Sequence, residues 1–173
     1  MQVEAAGQEN AYVDTSSYEQ LYKLYEDYFK LGIACQAMDH WNDPTAEIGN
    51  QEKEELINRM FNSMTFGNEL KPAYNFDASS ENLFKVDFAA EEMLEWAKEN
   101  NMKVRGHVLV WHSQVDPSIF AIDYQAYADG KLTKSDTAKL DEECLVDREE
   151  LLARLKRYIY GVLAVSYTHL TLP

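Results

Sequence analysis

KVRGHVLVWHSQ, Lys103 to Gln114, runs from a short apolar segment straight into a cluster of polar and aromatic side chains. The fifteen residues before it, FAAEEMLEWAKENNM, put Ala90, Leu94 and Ala97 on one helical face and Glu91, Glu95 and Lys98 on the other. The spacing predicts a helix over Val86 to Asn101, stopped at Asn100-Asn101, and then a strand over Lys103 to Trp111. The same order recurs upstream. A helix over Gln51 to Met60, with Leu56, Ile57 and Met60 inward, leads into a strand over Phe61 to Phe66. A helix over Thr15 to Phe29, with Leu21, Leu24, Tyr25 and Tyr28 three and four apart, leads into a strand over Lys30 to Ala37.

Helices alternating with short apolar strands predict βαβ units and a parallel sheet. Short continuous apolar runs are also what strands covered on both faces look like. The fold class is α/β. Long loops follow the strands: Asp39 to Asn50, Gly67 to Lys85, and Ser113 to Val146. The joints from helix to strand are tight. In a (β/α)₈ barrel the loops after strands build the active site. An open doubly wound sheet is the competing architecture, but no glycine fingerprint for phosphate follows any strand. A last helix is expected over Asp147 to Val165. Asp147 and Glu150 have capping-box spacing, and Leu151, Leu152, Leu155, Ile159 and Val162 form an apolar stripe.

The net charge of −14 works against nucleic acid and against anionic membrane surfaces, both of which need clustered Lys and Arg. No run of about 18 apolar residues is present, so no spanning helix is expected. The start, MQVEAAGQENAYVD, has neither the basic nor the apolar region of a secretory signal. Cys35 and Cys144 stand alone, with no CxxC and no metal spacing, and are read as unpaired thiols.

On strand alternation, Val104, Gly106, Val108 and Val110 share one face of the third strand, and Arg105, His107, Leu109 and Trp111 the other. His107 and Trp111 then lie on one side, near the end where barrel chemistry sits. His107 and His112, five apart, face opposite ways and do not chelate one ion. Asn68, Glu69 and Lys71 follow the second strand, and their donors and acceptors suit hydroxyl groups. Pattern alone favours plainer readings: a core His beside a core Trp, and an ordinary polar loop.

Two blocks tip that balance. Phe61, Asn62, Thr65, Asn68, Lys71 and Pro72 match F-N-x-x-T-x-E-N-x-x-K with a following Pro. Gly106, His107, Leu109, Val110, Trp111, His112 and Gln114 match G-H-x-L-V-W-H-x-Q. Both patterns are those of glycoside hydrolase family 10 endo-1,4-β-xylanases, which the chain resembles from about Tyr18 to Val165. YKLYEDYFKLGIA and REELLARLKRYI agree as well. The resemblance implies the first three βα units of a TIM barrel, an N-terminal portion over residues 15–165. Residues 1–14 are expected to be loose. The tail SYTHLTLP, residues 166–173, reads as an appended, non-native segment that continues no helix.

The resemblance further implies that Asn68, Lys71, His107, Trp111 and Gln114 bind xylose hydroxyls on the glycone side. The partner is xylan or xylo-oligosaccharides, and no cofactor or metal is implied. The full enzyme would cleave with retention through a covalent glycosyl-enzyme. That chemistry needs two carboxyl groups about 5–5.5 Å apart. The family's acid/base Glu ends a W-D-x-x-N-E motif on strand four, and its nucleophile lies on strand seven. Neither motif occurs here, and Glu69 is read as a loop residue. The chain is therefore expected to be inactive alone, with open sheet edges and an exposed apolar face. A non-catalytic xylan-binding fragment and an inert structural fragment are the alternatives. Departures from the pattern are Gly67 for the Glu before Asn68, Met60 for a His, Ile119 for an aromatic, and a long acidic loop over Asp123 to Asp147.

Overall fold

The computed structural model of the chain describes residues 14–37, 43–122 and 144–170, the stretch 166–170 as backbone. Three strands, β1 (Gly32–Cys35), β2 (Ser63–Phe66) and β3 (Lys103–Arg105), form a parallel sheet in the order β1-β2-β3. Ile33 is level with Met64 and Met64 with Val104; Ala34 is level with Thr65 and Thr65 with Arg105. The helices are α1 (Leu21–Tyr25), α2 (Gln51–Met60), α3 (Pro72–Asn75), α4 (Phe88–Glu99) and α5 (Arg148–Leu170). Parallel neighbours need a crossover, and α2 and α4 supply the two. The expected loose start and most of the acidic loop lie outside the described residues.

α2 and α4 occupy the spans that local chemistry marks. Asn50 caps α2 by accepting from the Lys53 amide at 3.2 Å, with Glu52 and Glu54 in the first turn and Arg59 in the last. Asp87 caps α4 by accepting from the Ala89 amide at 3.1 Å. α4 stops where expected: Asn101 takes φ 53°, and Met102 N–H donates to the Ala97 carbonyl at 2.8 Å. The core lies between these helices and one face of the sheet. Cys35, Met64 and Phe66 pack there with Ile57, Ala89, Ala90, Met93, Ala97 and Met102. Leu56, Met60 and Leu94 are half-buried.

Among the described residues only that face is covered. Gly32, Ala34, Lys103 and Arg105 on the other face are exposed, contrary to the expectation of strands buried on both sides. β3 is also shorter than the apolar run suggests. Among the described residues no pairing of β3 to β2 continues beyond Thr65 and Arg105. An apolar run without a ladder partner cannot satisfy its backbone as a strand. The face assignment by alternation therefore fails past Arg105.

The first helix is a second correction. It covers Leu21–Tyr25, not Thr15 to Phe29, and buries none of its residues. Leu21, Leu24, Tyr25 and Tyr28 are exposed. A short helix without apolar cover gains too little to offset its nucleation cost. The Arg59 guanidinium ties the preceding turn, donating to the Ser16 and Tyr18 carbonyls.

α5 begins as expected, with the Asp147 carboxylate accepting from the Glu150 amide at 2.8 Å. The reciprocal half of the box is absent, since Glu150 pairs with Arg154 at 2.8 Å. Leu152 points outward at 49% exposure, and Tyr158 takes the centre of the buried stripe with Val162, Leu83 and Phe84. Gly161 allows this approach: a Cβ there would lie 2.8 Å from Phe84 Cβ and 2.9 Å from the Asn82 carbonyl. The backbone stays helical to Leu170, through residues expected to leave the helix. Extending an existing helix costs far less than starting one.

Candidate functional site

Three segments meet at the C-terminal ends of the strands. Gln36 follows β1, Gly67 to Lys71 follow β2, and Gly106 to Gln114 follow β3. Buried polar groups hold the middle segment. The Glu69 carboxylate, fully buried, accepts from the Ala37 amide at 3.0 Å and the Asn68 amide at 2.9 Å. Asn75 is 1% exposed; its amide donates to the Glu69 and Lys71 carbonyls and its Oδ1 accepts from the Asp87 amide at 2.9 Å. Pro72 opens α3, a position that needs no N–H donor. Ala73 N–H donates to the Gln114 carbonyl at 2.9 Å and stitches the second loop to the third.

Lys71 stands at the centre of the resulting cluster. Its Nζ donates to Asn68 Oδ1 at 2.7 Å and to Gln114 Oε1 at 2.6 Å, and lies 5.0 Å from the Trp111 ring centre. Gln114 Nε2 donates to Asn68 Oδ1 at 3.3 Å. Trp111 is 6.1 Å from the His107 ring and 5.3 Å from that of His112, centre to centre. Asn68, Lys71, His107, Trp111 and Gln114 thus gather in one place. Burial pulls the Lys71 ammonium below its ordinary range, against the opposing pull of the Glu69 charge. Gln114 holds φ 50°, an uncommon backbone for a residue with a Cβ.

Two participants carry no mark in the sequence patterns. Gln36 accepts from Asn68 Nδ2 at 2.8 Å. Tyr74 hydrogen-bonds Gln114, and burial raises its phenol pKa. Gln36 falls inside the strand expected over Lys30 to Ala37, whereas the observed strand ends at Cys35 and leaves Gln36 at its C-terminal end. Tyr74 sits on α3, a helix inside what reads as a long loop. At Gly67, where the resemblance has Glu, a Cβ would lie 2.7 Å from Gln36 Cγ and 3.1 Å from the Cys35 carbonyl.

Beside Trp111 an apolar cavity of about 540 Å³ is bounded by Pro72, Val115, Ile119, Leu155 and Tyr158. Among the described residues no group of three His, Cys, Asp or Glu is arranged for a metal ion, and no helix is long and apolar enough to cross a membrane. Cys35 and Cys144 are free and buried. What the cluster offers is a cation and two carboxamides hydrogen-bonded to one another, beside an indole face. A polyol can take over those bonds one for one.

Residues 20–167 match the family described as glycosyl hydrolase family 10. Endo-1,4-beta-xylanase B of Butyrivibrio fibrisolvens is 33% identical over 154 residues, which is 84% of this chain and 21% of that protein. The intracellular xylanase TsXylA from Thermoanaerobacterium saccharolyticum superposes with a TM-score of 0.62 at 28% identity, covering 88% of this chain and 39% of that one. The CBM22-1-GH10 modules of Clostridium thermocellum Xyn10B, solved with xylohexaose, give 0.63 at 27% identity, covering 87% of this chain and 25% of that one. The chain spans about a fifth of the length of the Butyrivibrio relative. Its sheet and helices are part of a (β/α)₈ barrel.

Proposed function

The chain belongs to glycosyl hydrolase family 10, and we propose that it carries glycone-side sugar contacts of an endo-1,4-β-xylanase. The observation behind this reading is the meeting of Asn68, Lys71 and Gln114 within hydrogen-bonding distance of one another, beside Trp111. The Xyn10B modules of Clostridium thermocellum bind xylohexaose in their crystals, and xylo-oligosaccharide is the ligand we assign to this cluster.

In this reading Lys71 and Gln114 donate to ring hydroxyls, Asn68 donates and accepts, and Trp111 packs on a sugar face. His107 sits against the indole and bonds a hydroxyl at the rim. Contacts of this kind speed hydrolysis when they tighten as the ring distorts toward an oxocarbenium-like state. The bond-breaking step itself belongs to two carboxyl groups about 5–5.5 Å apart acting with retention. We assign both to parts of the barrel beyond this chain. Glu69 is not one of them: its carboxylate is buried and occupied by two backbone amides. No cofactor enters the scheme.

The 173-residue chain alone is thus expected to hydrolyse no xylan. Turnover by the purified chain, abolished by Glu69→Gln and not by denaturable contaminants, would move the acid chemistry back into it. Completed with the rest of a family 10 barrel, the chain is expected to support turnover that falls on substitution of His107 or Trp111.

A further inference from the structure

Asn68 has two functions to serve at once, and only one orientation of its amide serves both. Its Oδ1 accepts from Lys71 Nζ and from Gln114 Nε2, so its Nδ2 must face the other way. What lies there is Gln36, whose Oε1 accepts from Nδ2 at 2.8 Å. Gln36 is itself held at both backbone groups. Its N–H donates to Glu47 Oε2 at 3.0 Å, and its carbonyl accepts from the Glu47 and Ile48 amides at 3.2 and 3.0 Å. Its side chain crosses from the end of β1 to the end of β2 over Gly67. A Cβ at residue 67 would meet Gln36 Cγ at 2.7 Å, closer than carbon atoms approach.

We infer that Gln36 is the positioning residue for the Asn68 amide, and that Gly67 is the vacancy which lets it reach. The inference deepens the sugar-site reading and rests on it for its functional meaning. Without Gln36 the Nδ2 end loses its acceptor and the Lys71 and Gln114 donors alone orient the amide, whereas a flip would present NH₂ to the Lys71 ammonium. Asn68 would then repel the cation it now accepts from, and the donor and acceptor pattern offered to a hydroxyl would reverse.

The test follows the Asn68 side-chain amide protons by NMR in the ¹⁵N-labelled 173-residue chain. The expected result is a hydrogen-bonded, slowly exchanging Asn68 NH₂ in the unmodified chain. Gln36→Ala loses that signature. Gln36→Glu keeps it, because a carboxylate accepts the same bond. Gly67→Ala, which pushes Gln36 aside from the opposite strand, loses it too, and keeps the question open to measurement if Gln36→Ala does not fold. Backbone amides of Met64 and Phe66 report folding in each variant. The inference is overturned if Asn68 NH₂ is not hydrogen-bonded in the unmodified chain, is unmoved by Gln36→Ala or Gly67→Ala, or is lost equally in Gln36→Glu. No sugar enters these readings. Their failure removes the role of Gln36 alone, whereas xylotriose leaving Asn68 unperturbed would count against the site and spare the coupling.

Discussion

Replacing Asn75 with Ala should unfasten the loop that carries Asn68 and Lys71. The side chain is 1% exposed and makes three hydrogen bonds: to the Glu69 carbonyl, to the Lys71 carbonyl, and from the Asp87 amide. Its removal takes this partner from the Glu69 carbonyl and the Asp87 amide in a place where water has little access, while the Lys71 carbonyl keeps the Tyr74 amide at 3.0 Å. A typical hydrogen bond is worth roughly 0.5–1.5 kcal/mol net, and a stranded buried group costs about 1–3 kcal/mol. Relaxation lets the two groups find some water, so a loss of about 2–4 kcal/mol is expected. With a urea dependence of about 2 kcal/mol per molar, the unfolding midpoint should fall by about 1–2 M. The assay is equilibrium urea unfolding followed by tryptophan fluorescence, with Asn75→Asp as a control that keeps the acceptor alone. A midpoint shift near zero for Asn75→Ala would refute the idea that this residue holds the loop.

Other outcomes follow from the buried groups. Among the described residues the buried Tyr158 hydroxyl has no hydrogen-bond partner, so Tyr158→Phe should leave the urea midpoint unchanged or raise it, while Tyr158→Ala should cost about 3–5 kcal/mol of stability. Burial raises the Tyr158 phenol above its ordinary 10.0. The folded state thus binds the extra proton, its stabilisation is full below pH 10 and is lost as pH climbs past it. Tyr158→Phe should blunt that alkaline loss in a series of midpoints from pH 8 upward. Burial, with the Glu47 and Glu69 charges behind it, pushes the Cys35 thiol up to about 12, so Cys35 should resist alkylation at pH 8 until urea unfolds the chain. Met93 is fully buried between α4 and the sheet, and Met93→Ala should cost about 2–5 kcal/mol in the same unfolding assay.

Local signals proved the most legible. α2 spans the expected residues because Asn50, the acidic first turn and the Ile57 stripe all lie within ten positions of one another. The stop of α4 at Asn100 and Asn101 is equally local. What depends on partners was hidden. The run Lys103 to Trp111 has the composition of a strand throughout, yet only Lys103–Arg105 finds a ladder, because β2 ends at Phe66. The stripe of α1 has helical spacing but nothing to pack on. At the site, alternation was the wrong argument for pairing His107 with Trp111, since neither lies on a strand, although the two rings do meet. The matched motifs pointed to Asn68, Lys71 and Gln114 as a group. They were silent on Gln36, whose relation to Asn68 exists only once β1 and β2 are set in parallel register.

The central claim is that this chain holds sugar contacts of a xylanase while the bond-breaking carboxyls lie outside it. The most direct measurement joins residues 20–167 to the rest of a family 10 barrel and compares xylan hydrolysis by the joined protein with its Lys71→Met variant. Losing charged hydrogen bonds worth about 1.5–3 kcal/mol should lower kcat/KM by roughly 10- to 100-fold. The unjoined chain should show no turnover. Equal kcat/KM for the joined protein and its Lys71→Met variant would contradict the account.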